Sequence, residues 1–127
     1  GETEAKVKPI LKTASECFAA LPEMRAGVER KFPGYGAGIT FDIYIHYCSF
    51  YFGAVRTGGS QNIIIGGNEI IEAQKKLQMA GRDRKNSLTL SSAFVTKASQ
   101  EEPQFSAGNR WLGIDESVII TVEDEDG

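Results

Sequence analysis

The stretch IIIGGNEI, residues 63–70, places a glycine pair between an isoleucine run and a segment with helical spacing. A strand that feeds glycines into a helix can cradle a phosphate, because free backbone N–H groups and the helix dipole face the anion together. The two specific forms of that device are absent: the chain has neither G-x-x-x-x-G-K-[ST] nor G-x-G-x-x-G at this turn. The helix start can still attract an anion, but the turn reads mainly as a passage from a buried strand into a helix.

The other reactive side chains are sparse. His46 is the only histidine. A general base needs a nucleophile within reach, and none stands beside it in sequence, so it reads as a packing or surface histidine on a strand face shared with Tyr44. Ser91-Ser92 has no neighbouring histidine and reads as a strand-to-helix cap. The two cysteines, Cys17 and Cys48, are too few for a disulfide framework. With a single histidine they also fall short of a zinc ligand set, so free, buried thiols in a reducing compartment are expected. Asp42 reads as a solvent-facing strand residue, Lys75-Lys76 as a solvated helix face, and the run RDRK at 82–85 as a solvated basic loop.

Any chemistry must be positioned by one domain's worth of chain. The protein has 127 residues, 41% hydrophobic and 24% charged, with a net charge of −3, which suits one soluble domain with a modest core. That charge does not favour nucleic acid. No apolar run approaches the roughly 20 residues of a membrane span, and the charged start GETEAKVKP lacks the apolar region of a signal peptide. A cytoplasmic protein is expected.

Along residues 4–31, Val7, Ile10, Leu11, Ala14, Phe18, Leu21, Met24 and Val28 recur at helical spacing, with Pro22 expected to kink or divide the helix. FPGYGAG, 32–38, is a turn-rich loop. Residues 39–47 and 49–55 read as strands, RTGGSQ as a hairpin turn, and NIIIG as a strand buried on both faces. Residues 68–81 form a helix with Asn68 as N-cap and Gly81 as its stop. Residues 87–98 open as a strand and end as a helical turn; 101–110 is a loop; the segment from Trp111 is a short hairpin and strand. The order is α-β-β-α-β-β. The dense aromatics Tyr44, Tyr47, Phe50, Tyr51 and Phe52 cannot all be buried on one strand face, which hints at a partner chain.

In this arrangement the middle of the chain resembles class III nucleotidyl cyclases, the adenylate and guanylate cyclase homology domain. The family pattern I-H-x-G-x-x-x-x-G-x-V-G is followed by a hairpin and D-x-T-x-x-G-D-x-V-N-x-A-x-R-L. Here Ile45-His46 is followed by Gly53-Ala54-Val55, and Gly67 stands fourteen residues after Gly53 without a gap. Asn68, Ile70, Ala73 and Lys75 then stand where the family has Asp, Val, Ala and Arg. LTLSSAF resembles the family's I-L-I-S-E strand, and WLGIDESVIITVED its closing strand. The match covers the C-terminal two-thirds of such a domain. The family's first strand and second hairpin, with two metal-binding aspartates, have no counterpart.

The resemblance implies an α+β fold, a ferredoxin-like or cyclase-like sandwich with helices on one mostly antiparallel sheet. It spans residues 1–122, followed by an acidic tail at 123–127. Cyclisation in the family needs two carboxylates holding two metal ions, a polar pair reading the base, and an Asn and an Arg from the partner subunit stabilising the moving phosphoryl group. In this register the base-reading Asp falls on Asn62, the Asn on Ile71 and the Arg on Lys75. Isoleucine cannot hydrogen-bond, a loss worth ~10²–10³ in rate, and lysine lacks the bidentate fork. Asn62 and Lys75 remain as candidate nucleotide contacts. The expectation is a degenerate, non-catalytic cyclase-like module for regulation or dimerisation, with no intact catalytic set and no metal or cofactor of its own. It would pair as a homodimer or with another cyclase-like domain. The alternatives are a component of an active cyclase, completed elsewhere and using Mg or Mn, and a nucleotide-binding sensor without turnover.

Overall fold

The structure, a computed structural model, describes residues 6–48, 51–80 and 85–123, with the backbone alone for 51–57, 60–66, 79 and 80. Helix α1 spans Val7–Lys31 and buries Val7, Leu11, Ala14, Phe18 and Leu21 of the expected face, while Met24 is exposed and Ile10 and Val28 are partly buried. It runs unbroken through the exposed Pro22, contrary to the expected division. Proline removes one backbone donor there, and the helix beyond it is tied to the following turn by Arg25 Nε, which donates to the Ile39 carbonyl at 2.9 Å, and by Glu29.

A 3-10 turn at Gly36–Gly38 folds back on α1. A Cβ on Gly36 would lie 2.4 Å from the Arg25 carbonyl oxygen, so only glycine fits this approach. Glu29 secures the turn by accepting from the N–H of Gly34 at 2.7 Å and of Gly36 at 2.9 Å. These two bonds hold its carboxyl below the ordinary range. A carboxylate depressed in the folded state stabilises above its unfolded pKa and loses that contribution as pH falls through its folded value. Glu29→Gln is therefore expected to flatten the fall in stability below about pH 4.3. Urea midpoints from neutral to acid pH, compared with wild type, measure this.

Strand β1 spans Asp42–Ile45, β2 Tyr51–Thr57 and β3 Ser60–Gly66. Strands β2 and β3 pair antiparallel around Gly58-Gly59, both at positive φ, as the hairpin signal predicts. Helix α2, Asn68–Ala80, follows at once. Its first intrahelical bond is accepted by the Gly67 carbonyl, one residue ahead of the expected cap Asn68. Gly67 has φ 146°, a conformation open to glycine at the point where strand becomes helix. The expected stop, Gly81, lies outside the described residues, as do Phe50, the basic run at 82–84 and the tail at 124–127.

Strand β4, Ser87–Leu90, leads into α3, Ser92–Glu101, a short α4, Asn109–Leu112, and β5, Ile119–Val122. Residues 101–112 thus hold helix ends in place of the expected continuous loop, and no hairpin forms after Trp111 among the described residues. The sheet order is β1-β4-β5. Both pairings are parallel, with Ile45 beside Leu90 and Leu90 beside Val122.

The fold is α+β as expected, but the main sheet is parallel, not antiparallel, and the antiparallel pairing described is the β2–β3 hairpin. The connections explain it. Each sheet strand is joined to the next through a helix-containing crossover, which returns the chain to the same end before pairing. Ile43, Ile45, Leu88, Leu90 and Ile120 join Leu11, Phe18, Phe94, Ala98, Ile114 and Val118 in one core. The alternate row, with Asp42, Tyr44, Ser87 and Thr89, is polar, and α2 packs against its β1 part, where Lys76 meets Tyr44.

Candidate functional site

In open parallel sheets, ligands gather outside the carboxyl ends of the strands, and the reactive side chains of this protein gather there too. His46 follows β1 directly. Its Nδ1 lies 2.7 Å from Ser91 Oγ, and its Nε2 lies 2.9 Å from Glu69 Oε1. Ser91 sits between β4 and α3, and Glu69 is in the first turn of α2. The Cys48 thiol completes a group in which one ligating atom each from His46, Cys48 and Glu69 lies within 4.8 Å of the others.

Each member is placed for a local reason. Ser91 is the N-cap of α3, accepting from the Phe94 N–H at 3.0 Å, as a serine between strand and helix should. Its own N–H donates to the Ile45 carbonyl, tying the cap to the end of β1. His46 and Cys48 are two residues apart on one segment. Glu69 is carried in by the Gly67 turn. Helix α2 is pinned over the polar face by Lys76, whose Nζ donates to Glu123 Oε1 beyond β5 and lies 3.5 Å from the Tyr44 hydroxyl. The ammonium also sits 5.4 Å from the Tyr44 ring centroid. Hydrogen bonding to Glu123 raises the Lys76 pKa, and burial raises that of Tyr44.

The Ser91–His46–Glu69 line has the order of a hydrolytic triad, but it lacks an available nucleophile. Ser91 is 2% exposed, and its oxygen is committed to the cap. With the imidazole proton on Nε2, the Ser91 hydroxyl donates to Nδ1 and Nε2–H donates to Glu69, so the line is closed without substrate. Burial, then the Glu69 charge, pushes the Cys48 thiol up, away from a free nucleophilic thiolate. The arrangement is better suited to holding something than to attacking it.

The positions singled out in sequence are mostly elsewhere. Asp42, at the start of β1, accepts from Ser87 Oγ at 2.5 Å. Asn62 is in β3 opposite Val55, with its side chain outside what is described. Ile71 and Lys75 share an outward face of α2, one turn apart. Ile71 is 50% exposed, and Lys75 pairs with Glu72 at 3.5 Å. Cys17 and Cys48 are free thiols, as expected, but only partly buried where full burial was expected; Cys17 lines an apolar groove of about 300 Å³ with Ile10, Ile43 and Ile45.

Sequence reading missed the link between His46, Glu69 and Ser91, which are separated by 23 and 45 residues from the histidine. The local signal was the H-x-C spacing at a strand end, followed by a Glu in the next helix's first turn. Among the described residues no helix is long and apolar enough to cross a membrane. Comparison of the chain with protein-family models, with curated proteins and with solved structures finds no match.

Proposed function

We propose that this domain is a non-catalytic, cyclase-like regulatory module that works by pairing with a second copy or a related domain through the outer face of α2. The observation that carries the reading is Ile71, a half-exposed isoleucine on a helix whose neighbouring positions are mostly polar. In the resemblance this position belongs to an asparagine that crosses to a partner's nucleotide. An isoleucine there serves contact and not catalysis, because it offers apolar area and no hydrogen bond. Lys75, on the same face, keeps a charge at the family's arginine position but is held by Glu72. The β2–β3 hairpin and the immediate start of α2 support the register from which these assignments come.

Ile71→Lys tests the reading. Sedimentation equilibrium of the whole chain should show a dimer that dissociates at least about tenfold more readily in the variant, a loss of about 1.4 kcal/mol. A wild-type chain that stays monomeric, or a dimer indifferent to the change, defeats it. A thermal-shift panel with ATP, GTP and their cyclic products, with and without Mn²⁺, should show no shift that depends on the nucleotide. A ligand at ~100 times its dissociation constant would add ~2.7 kcal/mol, and a nucleotide-specific rise would favour the sensor or enzyme-component reading.

A further inference from the structure

We propose that His46, Cys48 and Glu69 form a binding site for a divalent transition-metal ion, with zinc the best match to the donors. The three side chains offer one nitrogen, one sulfur and one oxygen, with their ligating atoms within 4.8 Å of one another. That spread suits ligands converging on one ion at the usual zinc bond lengths of about 2.0–2.3 Å. A thiol and an imidazole select against magnesium and calcium, which take oxygen ligands. The site is therefore chemically different from the two-aspartate magnesium site implied by the cyclase resemblance.

The imidazole is also oriented as a metal ligand should be. A ligating histidine typically donates its second ring N–H to a fixed acceptor, which sets its tautomer. Ser91 Oγ, 2.7 Å from Nδ1, is that acceptor, and the cap of α3 holds it in place. Nε2 is then free to face the ion beside Glu69. Ser91 has a second lone pair for the Phe94 N–H, so metal binding leaves the cap intact. The ligands come from the end of β1 and the start of α2, so an ion would tie the crossover to the sheet. Three protein ligands leave a fourth position for water or for a donor from a bound partner.

Titration of the whole chain with Co²⁺, a spectroscopic stand-in for zinc, followed by competition with Zn²⁺, tests the site. One equivalent should produce a thiolate-to-cobalt charge-transfer band that zinc abolishes. The band should persist in Cys17→Ser and vanish in Cys48→Ser. Glu69→Gln lies on an exposed first turn and keeps the fold, so it carries the test should Cys48→Ser not fold. It should weaken zinc binding by at least the roughly 10–100-fold that loss of an outer-shell partner costs. No saturable binding, a band that survives in Cys48→Ser, or unchanged zinc affinity in Glu69→Gln would overturn the proposal.

Discussion

Leu90→Ala is expected to cost about 2–5 kcal/mol of folding stability. Leu90 has 0% exposure on the central strand, flanked by Ile45 on one side and Val122 on the other. It belongs to the core that α1, α3 and the sheet share. Truncation removes buried methyl groups from the middle of that shared core. The cost adds a cavity term to the lost transfer energy. Small domains hold only about 5–15 kcal/mol in reserve, so this one truncation removes a large share of the margin. Urea unfolding should show a lower midpoint at unchanged slope. Val122→Ala, on the same row of the sheet but at an exposed edge, should stay well below it.

Ser91→Ala is expected to cost about 1–2 kcal/mol, a large effect for the loss of a single oxygen. The hydroxyl serves two neighbours at once. Without it the Phe94 N–H loses its cap in a buried place, and His46 Nδ1 loses its partner. Ser92→Ala, one position along, removes a hydroxyl that caps nothing and should change stability by less than about 0.5 kcal/mol. Urea midpoints separate the two. Nuclear magnetic resonance of the imidazole adds a readout that a cap alone would not move: the His46 ring signals should shift in Ser91→Ala and stay in Ser92→Ala.

Much of the fold was legible in the chain itself. The spacing of Val7, Leu11, Ala14 and Phe18 marks α1, the paired glycines at 58 and 59 mark the hairpin, and the apolar period after Gly67 marks α2. These are local signals. The parallel sheet is not local, and its clue lay in α3 and α4. The end of 87–98 reads as no more than a helical turn and 101–110 as a loop because Ser92, Thr96 and Ser99 dilute the helical pattern around Phe94 and Ala98. Once that stretch is helical, β4 and β5 are joined by a crossover and parallel pairing follows. The candidate site was hidden for a similar reason. His46 looked isolated because its partners arrive from the next helix and the next strand, and Glu69 and Ser91 each had an ordinary local role in a first turn and a cap.

The order β1-β4-β5 also sets a timetable. Strand β4 must find β1 some 45 residues behind it, and β5 must cross α3 and α4 to reach β4. The hairpin and the helices can form from near neighbours, but this sheet closes only through distant ones. Loops of that size must be closed before their contacts repay the entropy. Newly made chain can therefore hold α1, the hairpin and α2 while Leu88 and Leu90 still lack their neighbour on β5. Of the three strands of this sheet, β5 is made after the other two, and a chain stopped short of it would present an open β4 edge to other chains.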